Sequence, residues 1–347
     1  MRILIDIGHP AHVHYFRNVI KQLETEGYTF LVLARDKEVT HELLNSYDIP
    51  FINKGKGGKA FIDRVDYTVK SLVLINQQVR KFNPDLCLSF YSPYLSVISS
   101  LRKVPHIMFN DTESQFMFKW ISRVTNPEIY SPDSYKNPDL RFQKLFKSYM
   151  ELAYLHPDIY TSGSSTKKIT GDEYILLRFV SNQASHDLGY RGIDQENKIR
   201  MFRFLSEFKK VWISSEVDLP DELVKHQLLI PPNEMHDVIA NASLLIGGSA
   251  TMSSEAAMLG VPSIHINHNE WGYIQELEEK YNLIHHFESD EEGVDNALHQ
   301  AKMILETDEH ETLYRERTKK VLSEKINLTS FMISLIKEKK YEIYGVN

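Results

Sequence analysis

The chain has 347 residues, 42% of them hydrophobic and 25% charged, which is the balance of a globular protein long enough for two domains. Its formal net charge of −7 argues against general nucleic-acid binding, because proteins that grip the phosphate backbone carry a basic surplus. A single cysteine, Cys87, excludes an internal disulfide, and without a signal peptide or membrane span the expected location is the cytoplasm.

The first half of the chain alternates short apolar runs with longer amphipathic segments. We predict buried strands at residues 3–5, 30–33, 85–88 and 106–109, and a helix at 13–24, where apolar side chains recur at helical spacing. Strands and helices in alternation are typical of parallel βαβ units with right-handed crossovers.

The same rhythm begins again near residue 173, after a polar segment at 161–172 that is typical of an interdomain linker. Five more strands are predicted, at 174–180, 211–213, 228–230, 244–246 and 263–266. We therefore expect an α/β protein with two Rossmann-like, doubly wound parallel sheets, in domains 1–165 and 170–325. Such sheets bind ligands beyond the carboxyl ends of their strands, so the two domains are expected to face a central cleft.

The segment 244–262 carries the strongest functional signal. Its strand is followed by a turn of small residues and by a predicted helix at 251–260. Small residues let a ligand approach the backbone, and the free N–H groups of a helix N-terminus attract phosphate. Glu255 lies one turn into this helix, where its carboxylate would accept hydrogen bonds from ribose hydroxyls. The alternative is a plain turn capped by Ser249 or Thr251.

The run Gly-Gly-Ser-Ala-Thr-Met-Ser-Ser-Glu at 247–255 resembles the donor-binding segment of the GT-B glycosyltransferase superfamily. It is similar to that of the peptidoglycan GlcNAc transferase and of the non-hydrolysing UDP-GlcNAc 2-epimerases. The resemblance implies that Glu255 binds ribose and that Met235, within 230–236, lies near the base. The residues implied to contact the diphosphate are Gly248, Ser249, Ala250 and Thr251.

Nearly the whole chain resembles a prokaryotic family of unknown function that is described as predicted glycosyltransferases. The matching stretches are 6–16, 174–180, 184–187, 244–262 and 276–284. The resemblance implies the GT-B fold, in which residues 326–347 form a C-terminal helix that packs back on the first domain.

Three histidines follow the first predicted strand, at the expected ligand-binding end of the sheet. Histidine titrates near neutral pH and can take a proton from a sugar hydroxyl. Ala11-His12-Val13 resembles a Gly-His-Val element that faces the reaction centre of the peptidoglycan transferase, so His12 is the first candidate for catalysis. His9 and His14 are candidates for acceptor binding, with capping of the following helix as the alternative.

Metal binding is not expected. The spacing of these histidines matches neither His-Glu-x-x-His nor a zinc finger, and the chain lacks an Asp-x-Asp motif. We therefore expect a reaction without a metal or other cofactor, in which N–H groups and basic side chains carry the charge of the leaving group.

Two further loops follow strands of the first domain. Asp111 and Glu113 are candidates for a general base or for orienting His12, with helix capping as the alternative. Tyr91 and Tyr94 are candidates for stacking on an acceptor sugar, and ordinary partial burial is their alternative.

One further residue is a candidate diphosphate ligand, and three other features each have two interpretations. His186 follows the first strand of the second domain and is expected near the diphosphate, while Arg178, inside that strand, is either a ligand or part of a buried ion pair. The basic, glycine-rich loop 53–59 is predicted to be solvated, with a flap over an anionic acceptor as the alternative. The segment 116–123 is compatible with a core-facing helix or with peripheral contact to a membrane.

Together these observations favour a glycosyltransferase that moves a sugar from a nucleotide diphosphate donor, chiefly a UDP-sugar, to a glycan, lipid-linked or small-molecule acceptor. The alternatives are a sugar-nucleotide 2-epimerase and a protein that only binds such a ligand. The epimerases carry arginine in the first loop and His-Arg-Arg-Glu in the second-domain loop. This chain has Gly-His-Pro-Ala-His at 8–12 and Ser-His-Asp at 185–187 instead, which weakens the epimerase interpretation.

Overall fold

The computed structural model of the protein describes residues 1–58, 60–113, 116–161, 173–181, 193–269 and 271–345. The chain divides into two compact units, the first made of Met1–Tyr154 with Ile326–Asn347 and the second of Leu155–Lys325. Each unit is built on a parallel sheet, as predicted. None of the helices in the described ranges has the combined length and hydropathy of a membrane span.

The first unit contains a parallel sheet of seven strands in the order β3-β2-β1-β4-β5-β6-β7. The strands are β1 (Arg2–Ile7), β2 (Thr29–Ala34), β3 (Phe51–Asn53), β4 (Leu86–Phe90), β5 (His106–Phe109), β6 (Glu128–Pro132) and β7 (Gln143–Phe146). Its helices are α1 (Pro10–Thr25), α2 (Thr40–Ser46), α3 (Phe61–Phe82), α4 (Pro93–Arg102) and α5 (Phe116–Thr125), with a short 3-10 helix at Met150–Ala153. The strand order reverses between β1 and β4, and such a switch point is where doubly wound sheets bind ligands.

Two helices of this unit begin at the carboxyl ends of the switch-point strands. At the start of α1, His9 Nδ1 accepts the N–H of Ala11 at 3.2 Å. At the start of α4, Ser92 Oγ accepts the N–H of Leu95 at 3.1 Å. Proline opens both helices, where its missing N–H leaves no hydrogen bond unmade. The caps therefore hold His9 and Ser92 at the ligand-binding end of the sheet.

The second unit contains a parallel sheet of five strands in the order β12-β11-β10-β8-β9. They are β8 (Tyr174–Phe179), β9 (Lys210–Ser215), β10 (Leu244–Gly247), β11 (Ser263–Ile266) and β12 (Ile284–Phe287). The helices are α6 (Gln195–Ser206), α7 (Asp221–Val224), α8 (Met235–Ala240), α9 (Ala250–Met258), α10 (Gly272–Glu279), α11 (Glu291–Leu305) and α12 (His310–Glu324), with a 3-10 helix at Pro232–Glu234. Apolar clusters cover the sheet, and its switch point lies between β8 and β10.

The C-terminal helix α13 (Leu328–Tyr344) belongs to the first unit. Thr329 Oγ1 donates a hydrogen bond to the carbonyl of Ala153 at 2.6 Å. The ring of Phe331 packs against Phe146, with 5.7 Å between the ring centroids. Polar and apolar contacts thus hold α13 in place beside α1 and β7.

The predicted strand at 228–230 is wrong. In this part of the chain only Gln227 forms a bridge, an isolated one to Ile213, and Leu229 is 81% exposed. Pro231 and Pro232 follow, and prolines cannot donate to a strand ladder. The sequence pattern does not predict four strands, because they are short and contain polar residues. These strands are β3, β6, β7 and β12.

Candidate functional site

A buried ion pair lies at the switch point of the first sheet. The Asp6 carboxylate, near the end of β1, accepts hydrogen bonds from Lys54 Nζ and from Ser92 Oγ, the latter at 2.5 Å. The Asp6 and Lys54 side chains are each 2% exposed, so the prediction of a solvated loop at 53–59 is wrong for Lys54. The signal in the sequence is an aspartate that interrupts the apolar run from Ile3 to Ile7.

His12 lies in the first turn of α1, directly after β1. Its Nδ1 accepts the backbone N–H of Gly8 at 3.2 Å, so the proton of the neutral ring sits on Nε2. The ring packs against Phe90, with centroids 4.7 Å apart. Burial, and after it the nearby charges that include Lys37 and Lys54, holds the pKa of His12 well below its usual range. In this arrangement His12 is a neutral hydrogen-bond donor.

The other two histidines of the loop have structural partners. His9 caps α1, as in the alternative interpretation of this residue, and its Nε2 lies 3.7 Å from Glu38 Oε2. His14 is 7% exposed and packs against Tyr154 and Tyr47, with ring centroids 5.2 and 5.9 Å apart. Acceptor contacts of His9 and His14 therefore stay predictions.

The loop after β5 holds the two carboxylate candidates. Burial raises the pKa of Asp111 from 3.8 to about 7, and the charge of Glu113 adds to this, while a 3.0 Å hydrogen bond from Thr112 Oγ1 opposes it. Glu113 Oε1 accepts the backbone N–H of Lys136 at 3.0 Å. A carboxyl group that titrates near neutral pH is suited to general acid–base work. Within the described residues, no hydrogen bond joins Asp111 to His12.

The two tyrosine candidates follow β4. Tyr91 has a φ of +40°, a left-handed conformation that is strained for a residue with a bulky side chain. Its N–H donates to the carbonyl of Phe109 at 3.0 Å, and burial raises the pKa of its hydroxyl to about 12. The ring of Tyr94 meets that of Tyr67 edge-on, with centroids 6.0 Å apart. Stacking of either ring on a sugar stays a prediction.

In the second unit, two glycines lead from β10 into α9. Gly247 has a φ of +155°, and a Cβ added there would lie 2.0 Å from the carbonyl oxygen of Arg178, so only glycine fits. The N–H of Gly248 donates to that same oxygen at 3.2 Å, and Asn267 Nδ2 donates to the carbonyl of Gly248 at 3.0 Å. Backbone contact with β8 and the Asn267 side chain thus fix this turn.

Helix α9 begins at this turn with its N-terminus partly exposed. Ser249 Oγ accepts the N–H of Met252 at 3.3 Å and caps the helix. The N–H groups of Ala250 and Thr251, also in the first turn, have no acceptor inside the helix, and both residues are partly exposed. We call the segment 247–251 the cradle, since two N–H groups at a helix N-terminus that have no acceptor among the described residues suit a phosphate oxygen.

Glu255 and His236 form a buried pair behind the cradle. Glu255 Oε1 lies 3.1 Å from His236 Nε2, and the two residues are 5% and 3% exposed. His236 belongs to α8, beside Met235, in the segment implied to line the base pocket. The pair joins the implied ribose ligand to that segment, a contact that the sequence does not reveal, and the ribose role stays a prediction.

Arg178 makes the ion pair that was its structural alternative. Its guanidinium donates to Ser214 Oγ at 2.7 Å and to the carboxylate of Glu216. The predicted diphosphate ligand His186 lies outside the described residues. Across the described ranges, no group of three or more His, Cys, Asp or Glu side chains is arranged to hold a metal ion.

Comparison with known proteins agrees with the resemblance that the sequence predicts. Residues 1–140 match a family described as "Protein of unknown function (DUF354)". The uncharacterized protein MJ0665 of Methanocaldococcus jannaschii is 24% identical over 306 residues, which cover 82% of this chain and 87% of that protein.

Solved structures decide the fold. The UDP-GlcNAc 2-epimerase of Neisseria meningitidis bound to UDP-GlcNAc superposes with a TM-score of 0.69 and 11% identity. The match covers 97% of this chain and 100% of the epimerase chain. The spinosyn rhamnosyltransferase SpnG, complexed with thymidine diphosphate, gives 0.62 and 12% over 96% of this chain and 100% of that one. The chain has the GT-B fold. At these identities the likeness concerns the GT-B fold alone, which transferases and epimerases share.

Replacement of Lys54 tests the buried ion pair. Lys54→Met leaves the Asp6 carboxylate buried without a counter-charge, so we expect the free energy of unfolding to fall by about 3–5 kcal/mol. Urea denaturation measures this loss, with Lys56→Met as the control, because Lys56 is 78% exposed. Asp6→Asn in the Lys54→Met background should recover part of the loss. Equal losses in the two lysine variants would contradict the burial of the pair.

The raised pKa of Asp111 predicts a pH dependence of stability. Because the carboxyl group titrates near 7 in the folded protein and near 3.8 in the unfolded chain, the folded state binds more protons in between. The stability contribution of Asp111 therefore falls as the pH rises from about 4 to about 7. Urea denaturation across this window should show Asp111→Asn gaining stability relative to the wild type as the pH rises.

The control for this measurement is Asp66→Asn, since the Asp66 side chain is 55% exposed. It should track the wild type across the same window. A constant difference between Asp111→Asn and the wild type at every pH would show that Asp111 is an ordinary ionised carboxylate.

Proposed function

We propose that the protein is a glycosyltransferase whose second unit binds the nucleotide diphosphate of the sugar donor. The observation that carries this proposal is the cradle, where the close approach to the Arg178 carbonyl admits only glycine at position 247. The turn leads into a helix whose first N–H groups, those of Ala250 and Thr251, have no acceptor among the described residues and can bind phosphate oxygens. Proteins of the same fold bound to UDP-GlcNAc and to thymidine diphosphate support this choice of ligand.

The acid–base chemistry is assigned to the first unit. Transfer needs a base that takes the proton of the acceptor hydroxyl while its oxygen attacks the anomeric carbon. Asp111, with a pKa of about 7, is ionised in about half of the molecules at neutral pH and can act as this base. His12 is the poorer base because Gly8 occupies its Nδ1, and the Nε2–H that remains is a donor. His12 therefore holds an oxygen atom by donation, and Glu113 is the alternative base.

The leaving diphosphate gains negative charge as the bond to the sugar breaks. Backbone N–H groups that already point at the position of that charge stabilise it without reorganisation. We expect the cradle and nearby basic side chains to carry this charge with no metal or other cofactor, because the chain has no Asp-x-Asp motif. The acceptor is a glycan, a lipid-linked sugar or a small molecule, and a reaction at the inner face of a membrane in cell-surface polysaccharide synthesis is included in this proposal.

A sugar-nucleotide 2-epimerase is the second candidate. The fold favours it as much as it favours the transferase, since a UDP-GlcNAc 2-epimerase superposes on 97% of the chain. An epimerase takes and returns a proton at a sugar carbon, and a carboxyl group with the pKa of Asp111 suits that step as well. A transferase needs an acceptor, whereas an epimerase changes the sugar nucleotide alone, and this difference distinguishes the two reactions in an experiment.

Binding of a nucleoside diphosphate is the first test. Titration calorimetry with UDP and with thymidine diphosphate should show binding of at least one of them to the full chain. Glu255→Ala should weaken that binding by about 1–3 kcal/mol, because charge-assisted hydrogen bonds to ribose are lost. The control is Glu316→Ala, whose carboxylate is 61% exposed. Equal affinity in the two variants would rule out the ribose role of Glu255.

Incubation with a sugar nucleotide alone in deuterated water separates the two reactions. We expect mass spectrometry of the recovered sugar nucleotide to find no deuterium at C2 and no stereoisomer. Once an acceptor is found, Asp111→Asn should lower kcat/KM by about 10²–10⁴-fold, and the wild-type rate should rise with pH through about 7 as Asp111 loses its proton. Deuterium uptake without an acceptor would establish the epimerase instead.

A further inference from the structure

A recess opens beside the cradle in the second unit, at the switch point between β8 and β10. The end of β8, the start of α6 and the turn after β10 form its walls. Its lining includes Arg178, Phe179, Val180, Lys198, Gly248 and Ser289. We call it the Lys198 recess. Gly248 keeps it open, because a Cβ at this position would lie 2.9 Å from Val180 Cγ2.

Among the described residues, Lys198 is a buried cation with no counter-charge in contact. The residue is 6% exposed, and its ammonium lies 5.5 Å from the centroid of the Phe179 ring. Within the part of the chain that the structure describes, this ammonium makes no hydrogen bond and no ion pair. Burial lowers the pKa of Lys198, although Asp194 and Asp218 act on it from a distance in the opposite direction.

A buried cation of this kind costs folding stability, because burial removes hydration, and among the described residues only the Phe179 ring and two distant aspartates offset that loss. Arg178, another residue of the lining, already forms an ion pair with Glu216. Among the described lining residues, Lys198 therefore carries a positive charge without an ion-pair partner, and Ser289 and Gly248 line the same recess. A small anion with several acceptor oxygens would supply the missing counter-charge.

We propose that the Lys198 recess binds a phosphate group and that Lys198 is its principal ligand. Two sources share this chemistry. One is the diphosphate of the sugar donor, since Gly248 belongs both to the recess and to the cradle, and in this case the inference rests on the proposed function. The other is a separate phosphate-bearing molecule, which requires no glycosyl transfer.

Titration calorimetry on the full chain tests the proposal with inorganic phosphate, pyrophosphate and UDP as probes. Lys198→Met keeps most of the side-chain volume and removes the charge, so the affinity for phosphate and pyrophosphate should fall about tenfold or more. Lys198→Arg keeps the charge and should retain more of that affinity than Lys198→Met. Lys302→Met is the matched control in the same unit, because Lys302 is 48% exposed, and it should leave the affinity unchanged.

Thermal unfolding separates a ligand-binding lysine from a structural one. Without ligand, Lys198→Met should have a Tm equal to or above that of the wild type, since the variant no longer buries an uncompensated charge. A Tm well below that of the wild type, with unchanged phosphate affinity, would show a structural lysine and overturn the proposal.

The probes also distinguish the two sources. Weaker binding of UDP as well as phosphate in Lys198→Met would assign the recess to the donor, whereas a loss confined to phosphate and pyrophosphate would assign it to a separate molecule. Lys198-dependent phosphate binding in a protein that binds no nucleoside diphosphate would uphold the recess and count against the proposed transferase. Wild-type protein that binds neither phosphate nor pyrophosphate, or unchanged affinity in Lys198→Met, would overturn the inference.

Discussion

The close approach of Gly247 to the carbonyl oxygen of Arg178 is the constraint on which the second unit's site depends. A Cβ atom at position 247 would lie 2.0 Å from that oxygen. The end of β10 can therefore lie this close to β8 only because residue 247 is glycine. The same carbonyl then accepts the N–H of Gly248, and the chain turns directly into α9. One steric requirement therefore positions both the cradle and the Lys198 recess.

The first unit depends on charge where the second depends on shape. Asp6 draws together Lys54, from the loop after β3, and Ser92, from the cap of α4, so one buried carboxylate holds the loops around the switch point. Because the charge of Asp6 is neutralised by Lys54, the proposed acid–base chemistry falls to other residues. Among the described residues Asp111 has no such counter-charge, and burial raises its pKa toward neutrality. The carboxylate of Asp6 thus has a structural role, whereas Asp111 is the carboxylate to which the proposed function assigns the acid–base chemistry.

Local pattern in the sequence predicts the elements that are buried on both faces or begin with strong caps. The strand at β1, the helix after it and the turn into α9 follow from apolar runs, a proline and small residues. The Asp6–Lys54 pair joins positions 48 residues apart and the His236–Glu255 pair positions 19 apart, and no local pattern encodes such contacts. Strands such as β7, with two exposed residues out of four, depend on neighbouring strands for their form.

The chemistry of the site follows from hydrogen-bond direction more than from residue type. A histidine after the first strand suggests a base, yet a backbone N–H can only donate, so the contact from Gly8 makes Nδ1 of His12 an acceptor and leaves the ring's proton on Nε2. Exchange of that tautomer would break the hydrogen bond to Gly8 in a buried site, where an unmet N–H is costly. A transferase and an epimerase share this fold, so under the proposed function the protonation states of His12 and Asp111, and not the fold, restrict the chemistry.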